Sequence, residues 1–103
     1  EQQLQQVVAA NQLELTRQQL QREVVSRSRQ VRIQRNLLDT EGQALQQQAT
    51  DLRRLAARQL EQGEIDYFRY FQSLDAAVQS ELQYLELLHA YNQAVLQLNY
   101  IIQ

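Results

Sequence analysis

QLEQGEIDYFRY, Gln59 to Tyr70, sets one of only two glycines between two long stretches rich in strong helix formers. No proline occurs anywhere in the chain, so Gly63 reads as the bend of a long antiparallel α-helical hairpin. The predicted fold is all-α: one helix over residues 2–61, a tip over 62–65 and a second helix over 66–102. Glu64 and Asp66 stand where the positive end of the second helix dipole favours acids, which gives them a capping role.

Upstream of the tip, Val24, Ser28, Val31, Arg35, Leu38, Gly42, Leu45, Ala49, Leu52 and Ala56 recur at alternating steps of four and three. This is the spacing of a coiled-coil seam, with alternate members small where two helices approach closely. Leu4, Val7, Leu13 and Leu20 continue it more weakly toward the N-terminus. Thr40 and Gln43 have capping-box spacing and Gly42 is a poor helix former, which marks Asp39 to Gln43 as a point of interruption. Leu38, Gly42 and Leu45 nevertheless stay in register across it, so the expectation is a continuous helix with a local kink. At 1.5 Å per residue that helix is roughly 90 Å long.

The second segment carries three faces. Phe71, Leu74, Val78, Leu82, Leu85, Leu88, Val95, Leu98 and Ile102 form an apolar seam, expected to meet the first helix. Ser73, Ala77, Ser80, Tyr84, Leu87, Tyr91 and Ala94 mix small residues with aromatics, and Arg69, Gln72, Ala76, Gln79, Gln83, Glu86, Ala90, Gln93 and Gln97 make a polar face. Two apolar faces beside one wet face suit a helix packed on both sides within a larger wall. Folding at Gly63 pairs residues whose numbers sum to about 126, if both helices rise equally. Leu52 then meets Leu74, Leu45 meets Leu82 or Glu81, Leu38 meets Leu88, Val31 meets Val95 and Val24 meets Ile102. Residues 1–23 overhang the second helix, and their apolar side chains call for a partner outside this chain or a second copy.

With 44% apolar residues in 103 and about one Gln in five, the apolar content is spread along thin stripes, not gathered into a deep core. The absence of cysteine excludes a disulfide framework, a thiolate metal site and a cysteine nucleophile, and leaves the redox compartment open. Methionine is absent even at position 1, so a piece cut from a longer polypeptide is expected. No window approaches the roughly 18 to 20 apolar residues of a membrane-spanning helix, nor the ten-residue alternation of a barrel strand.

The charge is divided. Arg17, Arg22, Arg27, Arg29, Arg32 and Arg35 face only Glu23 in their stretch, whereas Glu64, Asp66, Asp75, Glu81 and Glu86 face only Arg69. The arginines run around the helix with no aromatic among them, which favours a solvated face or an intersubunit contact over nucleic acid. One histidine, no cysteine and no glycine-rich phosphate loop point away from an enzyme and from any cofactor. Glu86 and His89 have the Glu-x-x-His spacing of helical di-metal sites, but a second such motif is missing and Leu37 and Leu38 are expected opposite, so no metal is predicted. The tyrosines at 67, 70, 84, 91 and 100 scatter over more than one face, as interface residues with their hydroxyls at the wet edge would.

Two stretches, QALQQQATDLRRLAARQLEQGEIDYFRYFQSLDAA and YLELLHAYNQAVLQLNYII, together resemble the last helical hairpin of TolC-like outer-membrane efflux factors. The likeness is to the members associated with heavy-metal resistance-nodulation-division pumps, including forms fused to the pump. It covers nearly the whole chain, strongly from Gln43 onward and by helical character alone before it. The resemblance implies a trimeric conduit in the periplasm of a Gram-negative bacterium, its periplasmic part an α-barrel of hairpins, within an outer-membrane-anchored or pump-fused parent. It implies that Gln62, Gly63, Glu64 and Ile65 form the tip that binds the hairpin tips of an adaptor, or membrane-fusion, protein, with the pump engaged indirectly. Arg69 and Gln72 would sit near the closed entrance, and Gln79, Gln83 and Glu86 would face the channel. Two departures stand out: Gln59 replaces the aromatic usual four residues before the tip glycine, and the wet face offers Arg and Gln where some members carry acids. An isolated copy is expected to pair its overhang with a second copy, giving a dimer unrelated to the trimer. The reading independent of this likeness is a soluble coiled-coil scaffold or oligomerisation module.

Overall fold

The computed structural model describes residues 2–103. The molecule is a rod of 89 × 19 × 15 Å built from two helical arms. Helix α1, Gln2–Leu37, passes through one π-helical turn at Leu38–Gly42 into α2, Gln43–Glu61, and α3, Tyr67–Ile102, runs back along both. The described residues contain no strand. With no proline and glycine only at 42 and 63, every other position of the arms can hold helical dihedrals without strain.

The arm does not break at the predicted interruption. Leu37 and Gln43, on either side of it, keep α-helical dihedrals, and the turn between them widens by one residue. Thr40 makes no capping box; its Oγ1 donates back to the Asn36 carbonyl at 2.8 Å. The seam continues through the widened turn. Val31, Gln34 and Leu37 are half-buried before it, and within it Leu38 is half-buried, Gly42 is buried and Glu41 exposed, so the seam runs through Gly42 to Leu45 and Ala49. Gly42 lies under a ring: a Cβ built there would meet Tyr84 Cδ2 at 3.2 Å and Cε2 at 3.3 Å. Arg35, assigned to the seam, is exposed, and Gln34 one residue earlier is half-buried in its stead.

The larger correction concerns α3. The face turned toward the first arm is the one of small residues and tyrosines: Ala77, Ser80 and Ala94 are buried, and Ser73, Tyr84, Leu87 and Tyr91 are half-buried. From the expected seam, Leu74, Leu88, Val95 and Leu98 border this interface, but Phe71, Val78, Leu82, Leu85 and Ile102 are exposed. The predicted meetings of Leu45 with Leu82 and of Val24 with Ile102 are therefore not made through buried side chains. Complementarity accounts for the choice. Gly42, Ala49 and Ala56 leave a shallow groove on the first arm, into which Tyr84 and the backbone around Ala77 fit more closely than a row of leucines would. The fully shielded residues are accordingly small, with Ala77 at 0% and Ala56 at 1% exposure. The register across the bend holds, since Gly42 and Tyr84 have numbers summing to about 126.

Among the described residues, two polar ties span the arms. Arg53 donates through Nε and Nη2 to Glu81 Oε1 at 3.0 and 2.7 Å, and Arg27 Nη1 donates to Gln97 Oε1 at 2.7 Å. The Arg53–Glu81 pair is nearly half exposed on both sides, so its contribution is in the range of about 0–1 kcal/mol. Beyond α3 the first arm continues alone: every residue from 2 to 23 is exposed, with Leu13 at 73%. No helix among the described residues is long and apolar enough to cross a membrane.

Candidate functional site: the hairpin tip and the faces of α3

The tip is built by two complementary helix ends. Helix α2 closes in a Schellman motif, in which the Gly63 amide donates to the Leu60 carbonyl at 3.1 Å and the Glu64 amide to the Gln59 carbonyl at 2.8 Å. Gly63 takes φ +71°, a left-handed conformation that an L side chain adopts at a cost, while the space beside it is open. Helix α3 opens with Asp66 in extended conformation as its N-cap, its carboxylate accepting from the Arg69 amide at 2.9 Å. Asp66 thus precedes the helix that was predicted to include it, and the capping role falls to Asp66 through a hydrogen bond.

Gln62, Gly63 and Glu64 are exposed and Ile65 is half-buried. Together with Asp66 and Arg69 the last three line a small, open depression at the apex. Both acids and Arg69 are within reach of a ligand there, along with a backbone whose glycine leaves room for close approach. Immediately behind the apex stand three exposed aromatics, Tyr67, Phe68 and Phe71, and the Phe71 ring lies 5.7 Å from that of half-buried Tyr70. This collar is absent from the tip residues read from sequence. At 3.6 residues per turn Tyr67, Phe71 and Phe68 share an arc of about 100° on α3, and whether that arc faces inward or outward depends on where the first arm lies.

Along α3 the predicted channel-facing residues Arg69, Gln72, Gln79, Gln83 and Glu86 are all exposed and follow one helical face. The exposed apolar stripe of Tyr67, Phe71, Val78, Leu82, Leu85, Leu96 and Tyr100 follows another. The helix thus has one face packed on its own hairpin, one bare and polar, and one bare and apolar. His89 is exposed and lies with the apolar stripe, and the described residues contain no cluster of three or more His, Cys, Asp or Glu able to hold a metal ion. Comparisons with protein-family models, with curated proteins and with solved structures find no match.

Proposed function

We propose that this chain is a periplasmic α-helical hairpin of an outer-membrane efflux duct, forming part of the conduit wall and docking an adaptor protein through its tip. The observation that carries the reading is the threefold division of α3. A helix with an apolar face left bare beside a bare polar face suits a wall, where a neighbouring helix covers the first and water meets the second. The likeness of the GEIDYxxY and YNQAV stretches to TolC-like efflux factors supports reading that wall as part of an efflux duct. In the parent trimer Arg69, Gln72, Gln79, Gln83 and Glu86 line the duct and Gln62, Gly63, Glu64 and Ile65 meet the adaptor. The role is passive, without bond chemistry. Substrate choice then belongs to the pump and adaptor.

The test is capture of an adaptor hairpin by the wild-type chain and by Gly63→Phe. A side chain at Gly63 meets no atom within 4 Å but is strained at φ +71°, a cost of about 1–2 kcal/mol, so circular dichroism must show the helices kept while a bulky group stands on the docking surface. Loss of capture with helicity retained supports the tip assignment. Equal capture by both proteins rejects it, and a stable oligomer indifferent to the tip would favour the scaffold reading instead.

A further inference from the structure

The bare apolar stripe of α3 has a property that a neighbouring wall helix does not require: it is palindromic. Tyr67 and Tyr100, Phe71 and Leu96, Val78 and His89, and Leu82 and Leu85 are four pairs whose numbers each sum to 167. In an antiparallel helix pair related by a two-fold axis, residue i faces residue j while j faces i, so the sum of the two numbers is constant. A stripe with that symmetry is complementary to itself. It contains no Asp, Glu, Lys or Arg, so bringing two copies together opposes no like charges within the seam.

We propose that a second copy of this chain covers the stripe, the two α3 helices running antiparallel about an axis between Gln83 and Tyr84. Leu82 of each copy then lies against Leu85 of the other, Phe71 against Leu96, and Tyr67 against Tyr100. The area approaches what a stable dimer needs. Exposure along the stripe runs from 39% at Val78 to 85% at Tyr100. At roughly 150–200 Å² for a whole side chain of this size, the stripe offers at most about 600–800 Å² per copy, against the roughly 800 Å² that each partner brings to a standard stable interface. This pairing differs from association through the overhang of residues 2–23, whose apolar side chains have no such symmetry. It does not rest on the duct reading, because it concerns the chain by itself, in which no wall helix covers the stripe.

Light scattering and thiol cross-linking test it together. The protein has no cysteine, so introduced thiols react only with each other. The wild-type chain is expected at twice its mass of 12.1 kDa. Phe71→Cys mixed with Leu96→Cys is expected to give a mixed disulfide. Phe71→Cys alone is expected to give none, because in the antiparallel pair its two copies lie roughly 37 Å apart at 1.5 Å per residue. Leu82→Gln/Leu85→Gln is expected at the single-chain mass with its helicity retained, since both positions face away from the first arm. A wild-type mass of one chain overturns the proposal, as does a Phe71→Cys disulfide with itself, which signals a parallel pair. A dimer that survives Leu82→Gln/Leu85→Gln overturns it too and assigns association to the overhang. If that double variant loses helicity, the thiol pairs decide alone.

Discussion

Replacing Gly63 by alanine isolates a single term in the stability of the hairpin. The residue holds φ +71°, and a Cβ there would touch nothing within 4 Å, so the substitution brings no clash and removes no contact. The two Schellman hydrogen bonds are made by main-chain groups that alanine retains. What remains is the penalty of a left-handed L residue, about 1–2 kcal/mol. For a domain of this size each kcal/mol lowers Tm by roughly 4–8 °C. D-alanine, introduced by chemical synthesis, prefers positive φ and should be no less stable than glycine, with a gain of about 0.4–1 kcal/mol from restricting the unfolded chain. Urea and thermal unfolding followed by far-ultraviolet circular dichroism measure both, at one fixed protein concentration because self-association raises apparent stability. Equal stability of the L-alanine and glycine proteins, or equal destabilisation by both alanine enantiomers, would refute the left-handed turn as the device that reverses the chain.

Other expectations follow from single contacts. Asp66→Ala removes the side-chain acceptor for the Arg69 amide and should cost about 1 kcal/mol in urea unfolding. Gly42→Ala gains up to about 1 kcal/mol of helix propensity while pressing on the Tyr84 ring, so it should stay within about 1 kcal/mol of wild type; Gly42→Leu cannot be absorbed by so small a ring displacement and should lower Tm clearly in the same scan. Ala77→Leu, at a fully shielded position, forces the arms apart and should cost about 1–3 kcal/mol. A double-mutant cycle of Arg53→Met and Glu81→Gln should give a coupling below about 1 kcal/mol that shrinks further with added salt.

The bend and the first-arm seam were legible because they depend on local chemistry: a lone glycine between helix formers, and apolar positions at four-three spacing. The seam of α3 was misassigned for a reason that periodicity cannot reveal. Both the leucine face and the tyrosine-alanine face repeat at helical spacing, and hydrophobicity favours the leucines. The outcome turns on fit against Gly42, Ala49 and Ala56, a property of two surfaces together. The same limit explains Arg35 and Gln34, since a one-residue widening of the helix at Leu38–Gly42 changes which side chains face inward without changing the composition. At the apex, Gln62 to Ile65 were placed by the glycine, whereas the collar of Tyr67, Phe68 and Phe71 became evident only once the direction of the partner helix was known.

The doubling back at Gly63 also dictates an order of assembly. Contacts between the arms join ever more distant residues with distance from the bend, from the Arg53–Glu81 tie to the Arg27–Gln97 tie. Each pair nearer the bend shortens the loop that the next must close, so the entropy of bringing the ends together is met largely once, at the tip. The chain should therefore form like a zipper from α2 and the first turns of α3 outward, and open in reverse. Amide protons near Ala56 and Ala77 would then exchange most slowly and those of residues 2–23 most quickly.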